Sequence, residues 1–328
     1  MLFLSQLWHL FYTVVFPMLA LAGIGFLLQR TLGLDMRTLT RLNFYFVVPA
    51  IMLYSLLTIR VQAGEIGRAI LFTAVVMAAM FLAAQVVARL RRLPRDEHRV
   101  AAMAAMFYNS GNYGLPVIGL AFTPLGLAAP AMALQVFVML TQNITSFTAG
   151  IALAQGGRLS GVWRHVRRFP PLYTLALAGV LVLIREGMAP DTLETWTGAL
   201  APVWQVVVYM KEAFFAIALA TLGAQLAQVK PPGIRHRVWT SVWLRLLGGP
   251  ALGLILVHLF GLEGLVARVL FLSTAMPTAV NCLLLCLEFD NHPEYAAPAV
   301  LYSTLISPVT VTACLWLTQS GRIAAFAM

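Results

Sequence analysis

The sequence predicts an all-α polytopic membrane protein, with ten transmembrane helices arranged as two inverted five-helix repeats. Three observations carry that prediction. Of 328 residues, 60% are hydrophobic and 10% charged, with mean hydropathy +0.85; a soluble domain carries about 25% charged residues. Apolar stretches of about 20 residues, the length that crosses a bilayer as a helix, recur along the whole chain. Two of those stretches are interrupted, at Asn109-Ser110-Gly111-Asn112-Tyr113-Gly114-Leu115-Pro116 and at Met276-Pro277-Thr278-Ala279-Val280-Asn281.

The spans are read over 8–28, 42–58, 67–88, 99–122, 128–154, 171–185, 203–227, 238–260, 264–287 and 295–318. The N-terminus lacks the positive region of a cleaved signal, so its first apolar run is read as a retained helix. Lys211 and Glu212 fall inside the seventh span. An alternative lays Thr195 to Tyr209 along the membrane interface and starts that span near Lys211.

Basic residues alternate sharply between loops. Fifteen lie in every second loop: Arg30, Arg37 and Arg41; Arg89, Arg91, Arg92, Arg95 and Arg99; Arg158, Arg164, Arg167 and Arg168; Lys230, Arg235 and Arg237. The other side holds five, Arg60, Arg68, Arg185, Arg268 and Arg322. The positive-inside rule makes the richer side cytoplasmic and leaves both termini outside the cytoplasm, which requires an even number of spans, as ten is. The formal charge of +10 and pI near 10.1 are therefore assigned to orientation, not to nucleic acid. No Gly-rich phosphate loop ending in Gly-Lys-Ser/Thr occurs, which argues against a pump driven by its own ATP hydrolysis.

Sliding the chain by 169 residues pairs Arg99 with Arg268 and Asn112 with Asn281, and by 168 pairs Ala129-Pro130-Ala131 with Ala297-Pro298-Ala299. The repeats are placed at 1–155 and 156–328. Five spans per half make the halves enter the membrane in opposite senses, the architecture in which broken helices meet at a midplane binding site. Hydrocarbon cannot hydrogen-bond a freed N–H or C=O, so irregular backbone at that depth survives only within protein or beside a water-filled cavity.

Pro116 and Pro277 each remove a donor and clash with the preceding turn, while Gly111 and Gly114 loosen the first break. The half-helices so formed present N-termini with about half a positive charge each, a site suited to anions. Asn109, Ser110, Asn112, Thr278 and Asn281 add neutral donors. Together with Tyr113 they are the candidate substrate contacts. A kinked helix without a ligand is the rival reading of either break alone. Gln135, Gln142 and Asn143 lie in the fifth span, where interhelical bonding and ligand contact are both open. Arg245 is expected to snorkel from the cytoplasmic start of the eighth span.

Cys282, Cys286 and Cys314 are assigned to packing, with no metal site and no disulfide framework. The six histidines, His9, His98, His165, His236, His258 and His292, form no cluster with metal-ligand spacing. No Asp or Glu sits clearly at the centre of a span, where proton-carrying transporters place one. No nucleophile–base pair stands out either, and an enzyme is not expected.

These motifs resemble the auxin efflux carrier family, which holds plant auxin carriers and bacterial carriers of malonate, malate and similar acids. Phe44-Tyr45-Phe46-Val47-Val48-Pro49-Ala50 resembles its proline-bearing second helix. Asn109 to Pro116 resembles its fourth-span signature, and Met276 to Asn281 its ninth-span crossover. Glu288-Phe289-Asp290-Asn291-His292-Pro293-Glu294 and Ser307-Pro308-Val309-Thr310 resemble the following loop and last helix.

The resemblance implies a bile acid/sodium symporter-like fold in which broken helices 4 and 9 cross. It implies a scaffold of spans 1, 2, 6 and 7, a moving transport unit of the rest, and a homodimer in a bacterial inner membrane. Asn109 matches the asparagine that contacts the substrate carboxylate, and Gln135 a glutamine of a polar support site. The third span, Ile70 to Val87, lacks the charged residues of the plant support site, and only about 16 residues join spans five and six. Both departures favour the bacterial branch. The expected ligand is a small organic anion with no cofactor; sodium or proton coupling is open. A sodium symporter of larger amphipathic acids and a non-transporting membrane sensor are the alternatives.

Overall fold

A computed structural model describes residues 2–59, 62–156, 170–188, 190–229, 236–320 and 323–326. Arg60, Arg158, Arg164, His165, Arg167, Arg168, Lys230, Arg235 and Arg322 lie outside the described residues. Among the described residues every regular element is a helix. In chain order the helices are α1 (Leu4–Leu32), α2 (Met36–Thr58), α3 (Ala63–Leu90), α4 (Glu97–Met106), α5 (Gly114–Phe122), α6 (Ala128–Ala154), α7 (Pro170–Gly187), α8 (Pro190–Glu212), α9 (Phe214–Gln228), α10 (Val238–Leu259), α11 (Gly264–Thr274), α12 (Val280–Glu288) and α13 (Pro293–Gln319).

Among the described residues seven stretches are long and apolar enough to cross a bilayer: α1, α2, α3, α6, α10, α13 and the run Gly198–Gln228 through α8 and α9. Their outward faces carry Leu27, Leu82, Val203, Leu259 and Val309, all well exposed, as is Leu183 of α7. Apolar surface on this scale is what a lipid-facing wall requires. The chain is an integral membrane protein. α8 and α9 are interrupted only at Ala213, whose φ and ψ stay right-handed.

Proline shapes three of the long helices. The residue before each ring, Phe16, Val48 and Gly249, donates its N–H five residues back, to Phe11, Asn43 and Leu244. The ring at 17, 49 or 250 supplies no donor and crowds the carbonyl four residues behind it. The turn ahead of it widens into a π-turn in response.

Packing is densest within two groups of helices, which also touch where α2 packs on α6 and α1 on α13. α2 packs on α7 and α8, and α9 on α1 and α2. In the second group α3 packs on α4 and α6, α6 on α11, α10 on α11, and α13 on α4 and α12. The α1–α9 crossing is very close. A Cβ added at Gly25 would stand 2.0 Å from the Ala220 carbonyl oxygen, and one at Gly223 would stand 1.7 Å from that of Ala22. Small residues let membrane helices approach in this way, because dispersion contacts rather than water exclusion hold them together.

Candidate functional site

The two sequence breaks meet. Residues 107–113 separate α4 from α5, and 275–279 separate α11 from α12. They run antiparallel: the Asn109 N–H donates to Pro277 at 2.8 Å, the Ala279 N–H donates to Phe107 at 2.9 Å, and Tyr108 faces Thr278 between them. Each break thus satisfies backbone groups that its partner's irregular path frees, which hydrocarbon could not do.

Side chains complete that accounting. Thr278 donates its hydroxyl to the Ala104 carbonyl at 2.8 Å and its backbone N–H to Ser303 Oγ at 3.1 Å. Gln135 of α6, fully buried, donates Nε2 to the Ser110 carbonyl at 2.9 Å and accepts a bond from the Ser273 hydroxyl. A Cβ at Gly114 would stand 2.7 Å from that Nε2, so the glycine leaves room for it. Pro116 is the third residue of α5, in the first turn, where a missing N–H leaves nothing unpaired. Pro277 lies in the second break itself and lends its carbonyl to Asn109.

Arg245 does not snorkel. Its side chain is fully buried. Nη1 donates to the Ala105 carbonyl at 2.9 Å and Nη2 to the Thr274 carbonyl at 2.5 Å, and the guanidinium lies 5.0 Å from the centre of the Tyr108 ring. It therefore closes the C-terminal ends of α4 and α11 together. The expectation failed because spacing along α10 does not reveal that two helix ends, 140 and 29 residues away in sequence, converge on that face.

Beside the crossing lies a small cavity of about 50 Å³, room for a few water-sized groups. Asn109, Ser110, Gly111, Asn112 and Asn281 line it, with Gln142, Asn143 and Ser146 of α6 and Phe44, Val48 and Gln225 of α2 and α9. Every polar side chain on this wall is a neutral amide or hydroxyl or the phenol of Tyr108. Asn112 accepts a bond from Asn43 Nδ2 at 2.6 Å, and Asn281 donates to Asn143 Oδ1 at 3.1 Å. Ser146 Oγ is buried without a hydrogen-bond partner among the described residues.

The two N-termini differ. In α5 the Gly114 and Leu115 N–H groups are already bonded to Asn109 and Gly111. In α12 the first turn, Val280 and Asn281, forms part of the cavity wall. The α12 end is thus the one whose first turn borders the cavity.

Of the sequence candidates, Asn109, Ser110, Gly111, Asn112 and Asn281 reach the cavity. Thr278, Gln135, Gly114, Pro116 and Pro277 build the crossing behind it. Tyr113 turns away, its hydroxyl accepting from Ser307 at 2.9 Å and its ring lining an apolar groove between α1 and α9. Ser146 and Gln225 were not singled out by sequence reasoning. A polar residue inside an apolar span was the available signal, and both carry it. The loop Glu288 to Glu294 also braces the fold, since Asn291 Nδ2 bonds the Leu153 and Ala154 carbonyls at the end of α6.

Residues 158–316 match the family model described as Membrane transport protein. A Rhizobium meliloti (strain 1021) protein named "Putative malonate transporter" is 26% identical over 95% of this chain and 97% of its own length. The chain is thus similar to membrane transport proteins over its second half and to proteins named as transporters over nearly its whole length. A Methanothermobacter thermautotrophicus protein named "Uncharacterized transporter" is 25% identical over 90% of this chain and 95% of its own length. Auxin efflux carrier component 3 of Arabidopsis thaliana is 26% identical over 46% of this chain and 23% of its own length. The seven apolar helices are in keeping with these likenesses. Within the described residues no group of His, Cys, Asp or Glu is placed to hold a metal ion.

Proposed function

We propose that the chain is a secondary transporter of a small organic anion, a mono- or dicarboxylate of the size of malonate or malate, bound at the crossing of the two breaks. The observation that carries the reading is the cavity itself. It is small, its polar wall is made of neutral donors, and the first turn of α12 opens into it. A carboxylate there meets amide donors and the positive end of a helix dipole, and no carboxylate of the wall repels it. The nearly full-length likeness to a protein named for malonate transport points the same way, toward the bacterial branch of the family.

The proposal includes ten spans in two inverted five-helix repeats, with α4–α5 and α11–α12 as the broken fourth and ninth. It also includes an elevator motion. The packing supports it, since α1, α2, α7, α8 and α9 associate with one another and the remaining helices form a second group that holds the crossing. Asn43 of the first group and Asn112 of the second meet across the divide. The loop charges orient both termini outside the cytoplasm in a bacterial inner membrane, and a homodimer follows by family likeness.

Asn109→Ala tests the assignment. Its side chain lines the cavity while its backbone N–H holds Pro277, so truncation spares the crossing. Uptake of labelled malonate and malate into proteoliposomes is expected to be abolished with unchanged expression and melting temperature. Unchanged uptake in that variant sinks the assignment.

A further inference from the structure

α10 carries a positive charge that the substrate cavity does not use. Arg245 sits inside the π-turn Leu244–Gly248, with Gly249 next to it. A Cβ at Gly249 would stand 1.9 Å from the Arg245 Nη2 and 2.8 Å from the Thr274 carbonyl oxygen. Bulge and glycine together form a recess for the guanidinium, and π-bulges of this kind concentrate at functional sites. Arg245 Nε has no acceptor among the described residues. Two carbonyls and one aromatic face are therefore the partners that the structure gives this cation.

Those carbonyls are the C-terminal ends of α4 and α11. Each helix end carries about half a negative charge, and two of them facing one point amount to about one. A guanidinium stays protonated at neutral pH, and here it is matched by dipoles rather than by a carboxylate. The ring of Tyr108 adds the negative face that attracts a cation within about 6 Å.

The geometry points to Arg245 as a tethered counter-cation: it fills, from the protein's own chain, a site between the two half-helix C-termini that would otherwise take up a small soluble cation. The crossing then needs no sodium or potassium at this position. With Arg245 shortened, the vacated recess becomes a binding site for a small planar cation. The proposal stands apart from the transport reading except where uptake is measured.

Wild-type protein, R245A and R245K are purified and melted in choline, sodium, potassium and guanidinium chloride at equal, low ionic strength. The same proteins in liposomes are tested for malonate uptake. The wild type is expected to melt alike in choline, sodium and potassium. R245A is expected to melt lower in choline and to recover saturably with guanidinium, at a midpoint between about 0.1 and 10 mM, the range open to a ligand of four heavy atoms. R245K, which keeps one charge but loses the fork, melts between the two. An R245A protein as stable as wild type in choline, or indifferent to guanidinium, overturns the proposal. So does a wild type stabilised by sodium or potassium over choline, and that arm decides the matter if R245A fails to fold. A wild type that takes up no carboxylate refutes the transport reading and leaves the melting results standing.

Discussion

Gln135 connects the crossing to α6 and offers the sharpest separation of stability from uptake. Its Nε2 is bonded to the Ser110 carbonyl, and its Oε1 receives the Ser273 hydroxyl, in a fully buried position. Gln135→Leu keeps the volume and removes both polar atoms. Ser273 is not stranded by this, because it also donates to the Val269 carbonyl at 2.8 Å. The Ser110 carbonyl is, and an orphaned buried acceptor costs about 1–3 kcal/mol. Gln135→Ala leaves the same orphan and an unfilled space, adding about 2 kcal/mol or more of lost packing. The predicted order of stability is therefore wild type, Leu, Ala, read from melting curves and denaturant titration in detergent. Uptake is predicted to behave differently. Ser110 lies between Asn109 and Asn112, so both variants let the donors drift, and misplacement by about 1 Å can cost roughly 10²-fold. Both should lose uptake to a similar degree despite unequal stability. A Leu variant with wild-type melting and wild-type uptake would refute the reasoning outright. A loss of uptake that only tracks stability would refute the positioning role.

Two further outcomes follow from the packing. Gly223→Ala forces a Cβ against the Ala22 carbonyl, a backbone atom that cannot rotate away; it should destabilise by about 1–3 kcal/mol or more and lower the melting temperature, whereas Gly23→Ala, whose Cβ meets nothing within 4 Å, should not. Asn43→Ala removes the 2.6 Å bond to Asn112 together with an Asn43 Oδ1 that has no partner among the described residues. These effects offset, so stability should change by less than about 1 kcal/mol while malonate uptake shifts several-fold in KM.

Much of the site was legible in advance. The breaks could be found because each is a local violation, Pro and Gly amid apolar residues at a depth where backbone polar groups need partners. Asn109, Asn112 and Asn281 followed as the polar residues beside them, and all three line the cavity. Tyr113 belongs to the same short segment yet points the other way, since a break has no fixed period from which side-chain direction can be read. Gln142 and Asn143 were visible as polar residues in a span, but interhelical bonding and ligand contact have the same sequence signature. Asn143 bonds Asn281 and also borders the cavity.

By itself the sequence determined that this chain lies in a membrane, where its helices run and where two of them must fail. Hydropathy, span length and proline chemistry are properties of contiguous residues, so no folding is needed to read them. Only the tertiary structure decided that the two failures pair backbone to backbone, that Gln135 braces one of them, and that Arg245 closes α4 and α11. Those facts depend on groups brought together from distant parts of the chain. Burial also removes water as an alternative partner, and a charge whose partners among the described residues are two helix ends and a ring is matched by them.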